Sequence, residues 1–328
     1  MTGFAQLDPF GVAVLPVILA GHFGLGWLYH RGLSHPRWRR TAPATRQRVF
    51  FWLGLLAIAA GSAGPLAFAG AGSFATHQVG HVLMRLLGPL MIALAQPWGV
   101  IAAALPRRWR RRLAEIATRS PLRVLRHPAA ATLLLIGVFY LWHLPALFRQ
   151  AVDIPALGAL AHVTLMLTGL WYFAMLLDPR DPPEGAARGA RLLTGVAVVF
   201  SNILLGALIA LKDSVAYGPA GMHGGLATLS DEAIGGYVIW VPSSILMIVA
   251  TVLALHGWNR AEERRWAMRH EIMRRSNSAA LEFPETAEEL WIKVAKPNRV
   301  MARTLGLVVV AMFTLVIATA IGVVSGGR

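Results

Sequence analysis

Four histidines carry the residue types and the spacing from which this chain could build chemistry. His77 and His81 stand four residues apart, one turn along a single helical face, His143 sits in Trp142-His143-Leu144-Pro145, and His162 opens a later apolar run. Met84 and Met166 follow about one turn deeper, at i+3 from His81 and i+4 from His162. Imidazole ligates copper, zinc, iron or nickel, and thioether sulfur beside it shifts the preference toward Cu(I). No cysteine is present, which removes iron–sulfur clusters, thiolate zinc sites and disulfides. Taken singly, each residue has a plainer use. An intramembrane histidine donates an interhelical hydrogen bond worth about 0.6–2 kcal/mol, and methionine at helical spacing fills core. Grouping favours a metal site, because ionisable side chains are expensive in hydrocarbon. Met222 and His223, in a Gly-rich connection, are accessory candidates for capturing an ion. Asp231 is a third, although a carboxylate at a helix start is also a cap and a partner for the helix dipole, as is Glu232 beside it.

The elements that must position these side chains are membrane helices. Of the 328 residues 56% are hydrophobic and only 14% charged, and the mean hydropathy is +0.55, too apolar for a soluble globule. A span needs about 20 mostly apolar residues. Candidate runs lie at 10–29, 49–69, 75–97, 129–148, 158–177, 192–211, 233–255 and 304–324. Pro16, Pro89, Pro145 and Pro242 fall inside these runs and are compatible with helix, since neighbouring helices re-satisfy the freed backbone groups. The expected fold is all-α, a polytopic transmembrane bundle of about eight spans.

Charge orients the bundle. The connections at 30–48, 97–128, 178–191 and 256–303 hold 27 of the 31 Lys and Arg residues, and the alternate connections hold almost none. By the positive-inside rule the basic side is cytoplasmic and both termini are periplasmic. The net charge of +15 therefore reports topology rather than a nucleic-acid surface. With neither a basic n-region nor an Ala-x-Ala site ahead of it, the first run reads as a retained helix. At a rise of roughly 1.5 Å per residue, His81, His143 and His162 each lie about 6–9 Å below the outer ends of their spans. Imidazoles from three helices thus share one level. Arg85, about 14–15 Å into its span, should face the interior and find a carboxylate, with Asp213 or Asp231 as partner, or else snorkel to the outer interface.

Several stretches resemble the CtaG-like cytochrome oxidase assembly factors, the polytopic family and not the cysteine-bearing single-span chaperone that shares the name. Thr76-His77-Gln78-Val79-Gly80-His81 with Leu87-Gly88-Pro89-Leu90 and Gln96-Pro97 is similar to that family's third helix. Arg126-His127-Pro128 through Trp142-His143-Leu144-Pro145 resembles the next, and Ala161-His162 with Leu167-Thr168-Gly169-Leu170-Trp171 the one after. Ser230-Asp231 with Gly235-Gly236-Tyr237-Val238-Ile239-Trp240-Val241-Pro242 resembles a later block. The likeness covers roughly residues 10–270. It implies a bacterial inner-membrane protein, not an enzyme, that helps mature a haem-copper cytochrome c oxidase by assisting copper to its binuclear centre. An oxidase subunit or another assembly factor would be its partner. The chain departs from the family pattern at Gly158 and Ala161, where a histidine and a glutamate are usual, and at Glu232, where glutamine is.

Residues 1–257 are expected to form a seven-helix core, 258–303 a basic cytoplasmic segment and 304–328 an additional C-terminal span. The stretch Arg260 to Arg275 reads as a basic helix lying on anionic membrane lipids, and Pro284 to Lys296 as a shorter one. The expected function is assembly of a haem-copper oxidase through a Cu(I) site on His77, His81, His143 and His162, with Met84 and Met166 beneath. Two alternatives stay open: a haem-binding electron-transfer protein with histidine axial ligands, and a cation or proton transporter using the histidines as relays.

Overall fold

A chain in hydrocarbon must pair its backbone N–H and C=O groups internally, which an α-helix does within its own segment. The computed structural model follows this and has no β-strand among the described residues, which are 9–39, 42–62, 72–118, 124, 127–180, 185–217, 228–276, 288, 299–314 and 318. In chain order the helices are α1 (Pro9–Leu33), α2 (Thr45–Ser62), α3 (Phe74–Ala95), α4 (Trp98–Ala104), α5 (Arg107–Thr118) and α6 (Pro128–Trp142). There follow α7 (Pro145–Asp153), α8 (Pro155–Leu176), α9 (Arg188–Ala210) and α10 (Thr228–Ser276), and a helix α11 over 299–314.

Among the described residues four helices, α3, α8, α9 and α10, are long and apolar enough to cross a membrane. A fifth arises if α6 and α7 count as one span, bent by 74°. That bend corrects the expectation of an unbroken helix through 129–148. Pro145 lacks an N–H and disfavours helical backbone in the residue before it, so Leu144 is extended and α7 restarts in a new direction. Pro16 and Pro242, by contrast, lie inside continuous helices. Helix α10 runs unbroken past residue 257, so the apolar span and the basic stretch to Arg275 form one 49-residue helix. The run at 49–69, the second basic helix at Pro284 to Lys296 and the last span beyond residue 314 fall partly or largely outside the described residues.

α3 is the central element, packed by α2, α8 and α10. Its middle is a π-helical turn, Leu83–Leu87. Pro89 has no N–H to return to the carbonyl four residues earlier, that of Arg85. The ladder shifts by one residue, and Gly88 N–H donates to Leu83 O instead. Small residues let the neighbours close in, as expected where lipid supplies no hydrophobic drive between helices. A Cβ on Gly61 would come 2.6 Å from Gly80 O, and one on Gly206 would come 2.6 Å from Gly236 O. At Gly169 of α8 an added Cβ would overlap the Arg85 carbonyl and reach within 3.1 Å of the Pro89 ring. Gly169→Ala is therefore expected to destabilise the bundle by about 1–3 kcal/mol, seen as a lower unfolding midpoint in detergent. Gly137→Ala, where nothing lies within 4 Å of the new Cβ, should leave the midpoint unchanged, and equal midpoints for both would show that α3 and α8 do not meet there.

Candidate metal centre

The site is assembled at the Phe74 end of α3. Ser73 is the N-cap, its hydroxyl accepting from Thr76 N–H at 3.3 Å. Asp231, in the first turn of α10, closes the same end: its carboxylate accepts from Ser73 Oγ at 2.7 Å, Phe74 N–H at 2.7 Å and Ala75 N–H at 3.2 Å. Asp231 thus caps the helix that carries His77 and His81 rather than its own, and both its oxygens are committed there. A carboxylate at a helix N-terminus also meets the positive end of the helix dipole.

His77 and His81 then project from α3 one turn apart, with ring centroids 4.4 Å apart. α8 brings His162 against both, at 6.0 Å from His77 and 5.7 Å from His81. Each of the three offers one ring nitrogen such that all lie within 4.8 Å of one another. His81 is buried, and neither of its ring nitrogens has a hydrogen-bond partner among the described residues. Buried polar atoms are rarely left unpaired, so two on one imidazole mark a place built for something else.

His143 completes the ring layer at 5.6 Å from His81, but its nitrogens are engaged. Nδ1 lies 2.7 Å from Phe139 O and Nε2 lies 2.9 Å from Gln78 Oε1. A neutral imidazole that donates Nδ1–H to Phe139 needs a donor at Nε2, which Gln78 supplies by turning its NH2 toward it. His143 therefore has no free ring nitrogen for the group, contrary to the expectation from sequence. The break after α6 is what holds it: Tyr217 donates its hydroxyl to His143 O at 2.9 Å. Burial, with the charge of Glu232 adding to it, pushes the Tyr217 phenol up to about 12, so it remains a donor at any physiological pH. Glu232 in turn is buried and pairs with Lys212, and it accepts from Ala216 N–H at 3.0 Å and Tyr217 N–H at 2.8 Å. This pins the connection after α9 beneath His143. Trp142 Nε1–H donates to Thr164 Oγ1 at 2.9 Å, fixing α6 against α8 two residues from His162.

Aromatic rings wall the imidazoles, with Phe148 5.2 Å from His77 and Phe139 4.4 Å from His143. Arg85, one turn beyond His81, is buried in the interior and does not snorkel. Its expected carboxylate partner is absent among the described residues. Instead Arg85 Nη2 donates to Asn202 Oδ1 at 2.9 Å, and the guanidinium stacks 3.6 Å over the Phe139 ring. The reason is plain: Asp231 and Glu232 are spent on other partners, and Asp213 is exposed. Met84 and Met166 line a cavity that reaches His162 from the α1 side. Met222 and His223 lie outside the described residues.

A profile of the cytochrome c oxidase caa3 assembly factor family (Caa3_CtaG) matches residues 27–261, well over half the chain. The chain belongs to this family. The matched stretch includes all three clustered histidines, His143, Asp231 and Arg85, while His22 and helix α11 lie outside it. No curated protein and no solved structure matches the chain.

Sequence reasoning missed the cap across helices and the engagement of His143 by Gln78. Gln78 stands between His77 and His81 in the motif itself, but an uncharged amide carried no signal of its own.

Proposed function

We propose that this protein holds Cu(I) on His77, His81 and His162 and hands it to a haem-copper cytochrome c oxidase during assembly. The observation that carries this reading is the convergence of three ring nitrogens within 4.8 Å, one of them on an imidazole with no hydrogen-bond partner among the described residues. Imidazole nitrogen is a suitable ligand for Cu(I), and a cysteine-free chain keeps such a site from oxidising to a disulfide. Family membership supplies the client class. In this reading the role is binding and transfer rather than catalysis, and an oxidase subunit or a further assembly factor receives the ion.

Handover requires that the ion be held loosely. Three neutral imidazoles leave the ion's positive charge uncancelled, and the buried Arg85 guanidinium one turn away on α3 repels it. Such a site gives up its cargo to a client with a fuller or anionic ligand set. Protons compete for the same nitrogens, so retention falls on acidification. The topology that suits this reading has about eight spans with both termini periplasmic, in a bacterial inner membrane, as the distribution of Lys and Arg indicates. The histidine layer then faces the periplasm. Residues 1–257 form the core, and 258–303 and 304–328 are additions to it.

Full-length protein in detergent, titrated anaerobically with Cu(I) against a chromophoric chelator, is expected to compete for the ion. Cells lacking the protein are expected to accumulate oxidase with haem but short of copper. Absence of Cu(I) uptake would remove the reading, and a Soret band in the purified protein would replace copper by haem.

A further inference from the structure

His22 stands on α1, and the structure gives it the local chemistry of a ligand. Its Nδ1 lies 2.6 Å from Ile18 O, one turn back on α1. A carbonyl can only accept, so Nδ1 carries a proton, and in the neutral ring Nε2 keeps its lone pair. Nε2 is buried and has no partner among the described residues. Fixing one ring nitrogen by donation to a backbone carbonyl is the usual way a protein presents the other to a metal.

His22 lines a cavity of about 240 Å³ between α1, α2, α3 and α8. The same cavity is lined by Met84 and Met166, and His162 of the clustered three also opens on it. Among the described residues no carboxylate lines it. A hard divalent cation would find neither charge nor oxygen there, whereas imidazole with thioether sulfur suits soft, monovalent Cu(I).

We propose that this cavity is a second, transient Cu(I) station, ligated by His22 Nε2 with the thioethers of Met84 and Met166, through which the ion moves to or from His162. This rests on the reading that His77, His81 and His162 hold Cu(I). It adds a route beside α1 and a ligand outside the stretch that the family profile matches. It also gives Met84 and Met166 a separate task from the imidazole layer.

The test loads full-length protein with Cu(I) anaerobically and reads stoichiometry by chelator competition and ligand type by copper X-ray absorption. Wild type is expected to take up a second, weaker equivalent with sulfur in its coordination shell. His22→Leu should weaken that equivalent by at least about 100-fold and leave the tighter, nitrogen-bound one intact. Met166→Leu, a volume-conserving change that keeps the fold, should reduce the sulfur signal. His81→Ala should remove the tighter equivalent and spare the sulfur-bound one. A single equivalent with nitrogen ligands only in wild type, or an unchanged second equivalent in His22→Leu, overturns the station while the three-histidine site stands. Loss in His22→Leu with His81→Ala like wild type upholds the station and overturns the three-histidine site.

Discussion

His81→Ala is expected to abolish retention of Cu(I) at the three-histidine site, lowering affinity at least about 100-fold, since replacing even a supporting neighbour of a ligand costs about 10–100-fold. His81 is the informative residue because both its ring nitrogens are buried and without a partner among the described residues. Its removal breaks no hydrogen bond among them and leaves only a void, a cost of about 2 kcal/mol. Loss of copper with an unfolding midpoint only slightly lowered would separate ligation from folding. His143→Phe supplies the contrast. That ring packs 4.4 Å from Phe139, and its nitrogens are taken by Phe139 O and Gln78, so the variant should hold Cu(I) within about tenfold of wild type. Equal losses in the two variants would return His143 to the ligand set. Oxidase activity in cells should follow the same order, with His81→Ala leaving a copper-poor enzyme.

Asp231→Ala is expected to be the most damaging single change outside the imidazoles. It strips the acceptor from the Ser73 hydroxyl and from two backbone N–H groups at the start of α3. Buried donors left without a partner cost about 1–3 kcal/mol each, and bonds to a charged acceptor are the stronger kind. A loss of roughly 3 kcal/mol or more is expected, read as a midpoint drop in detergent unfolding. Copper retention should fall with it, because His77 lies one turn from the released end. Asp231→Asn keeps one acceptor oxygen and should recover part of both. Full copper retention in Asp231→Ala would show that the first turn of α3 holds without α10.

The family match spans every stretch that carries the resemblance, and the three imidazoles the structure gathers, His77, His81 and His162, lie within it. Proline shows how uneven such legibility is. Pro145 ends a helix, Pro89 shifts the hydrogen-bond ladder into a π turn, and Pro16 and Pro242 do neither. The residue type is the same in each case, and packing by neighbouring helices decides between them.

Helix as the only secondary structure among the described residues, long apolar segments and the pairing of His77 with His81 on one face were all determined by the sequence alone. Each follows from composition or from a 3.6-residue period, which are local properties. The tertiary structure decided which nitrogens are free. It placed Gln78 on His143, Asn202 and Phe139 on Arg85, Asp231 on the start of α3, and the Ile18 carbonyl beneath His22. Whether an imidazole is a ligand, a wall or a hydrogen-bond donor depends on a ring rotation and on partners as far as 65 residues away in the chain. No periodicity encodes either.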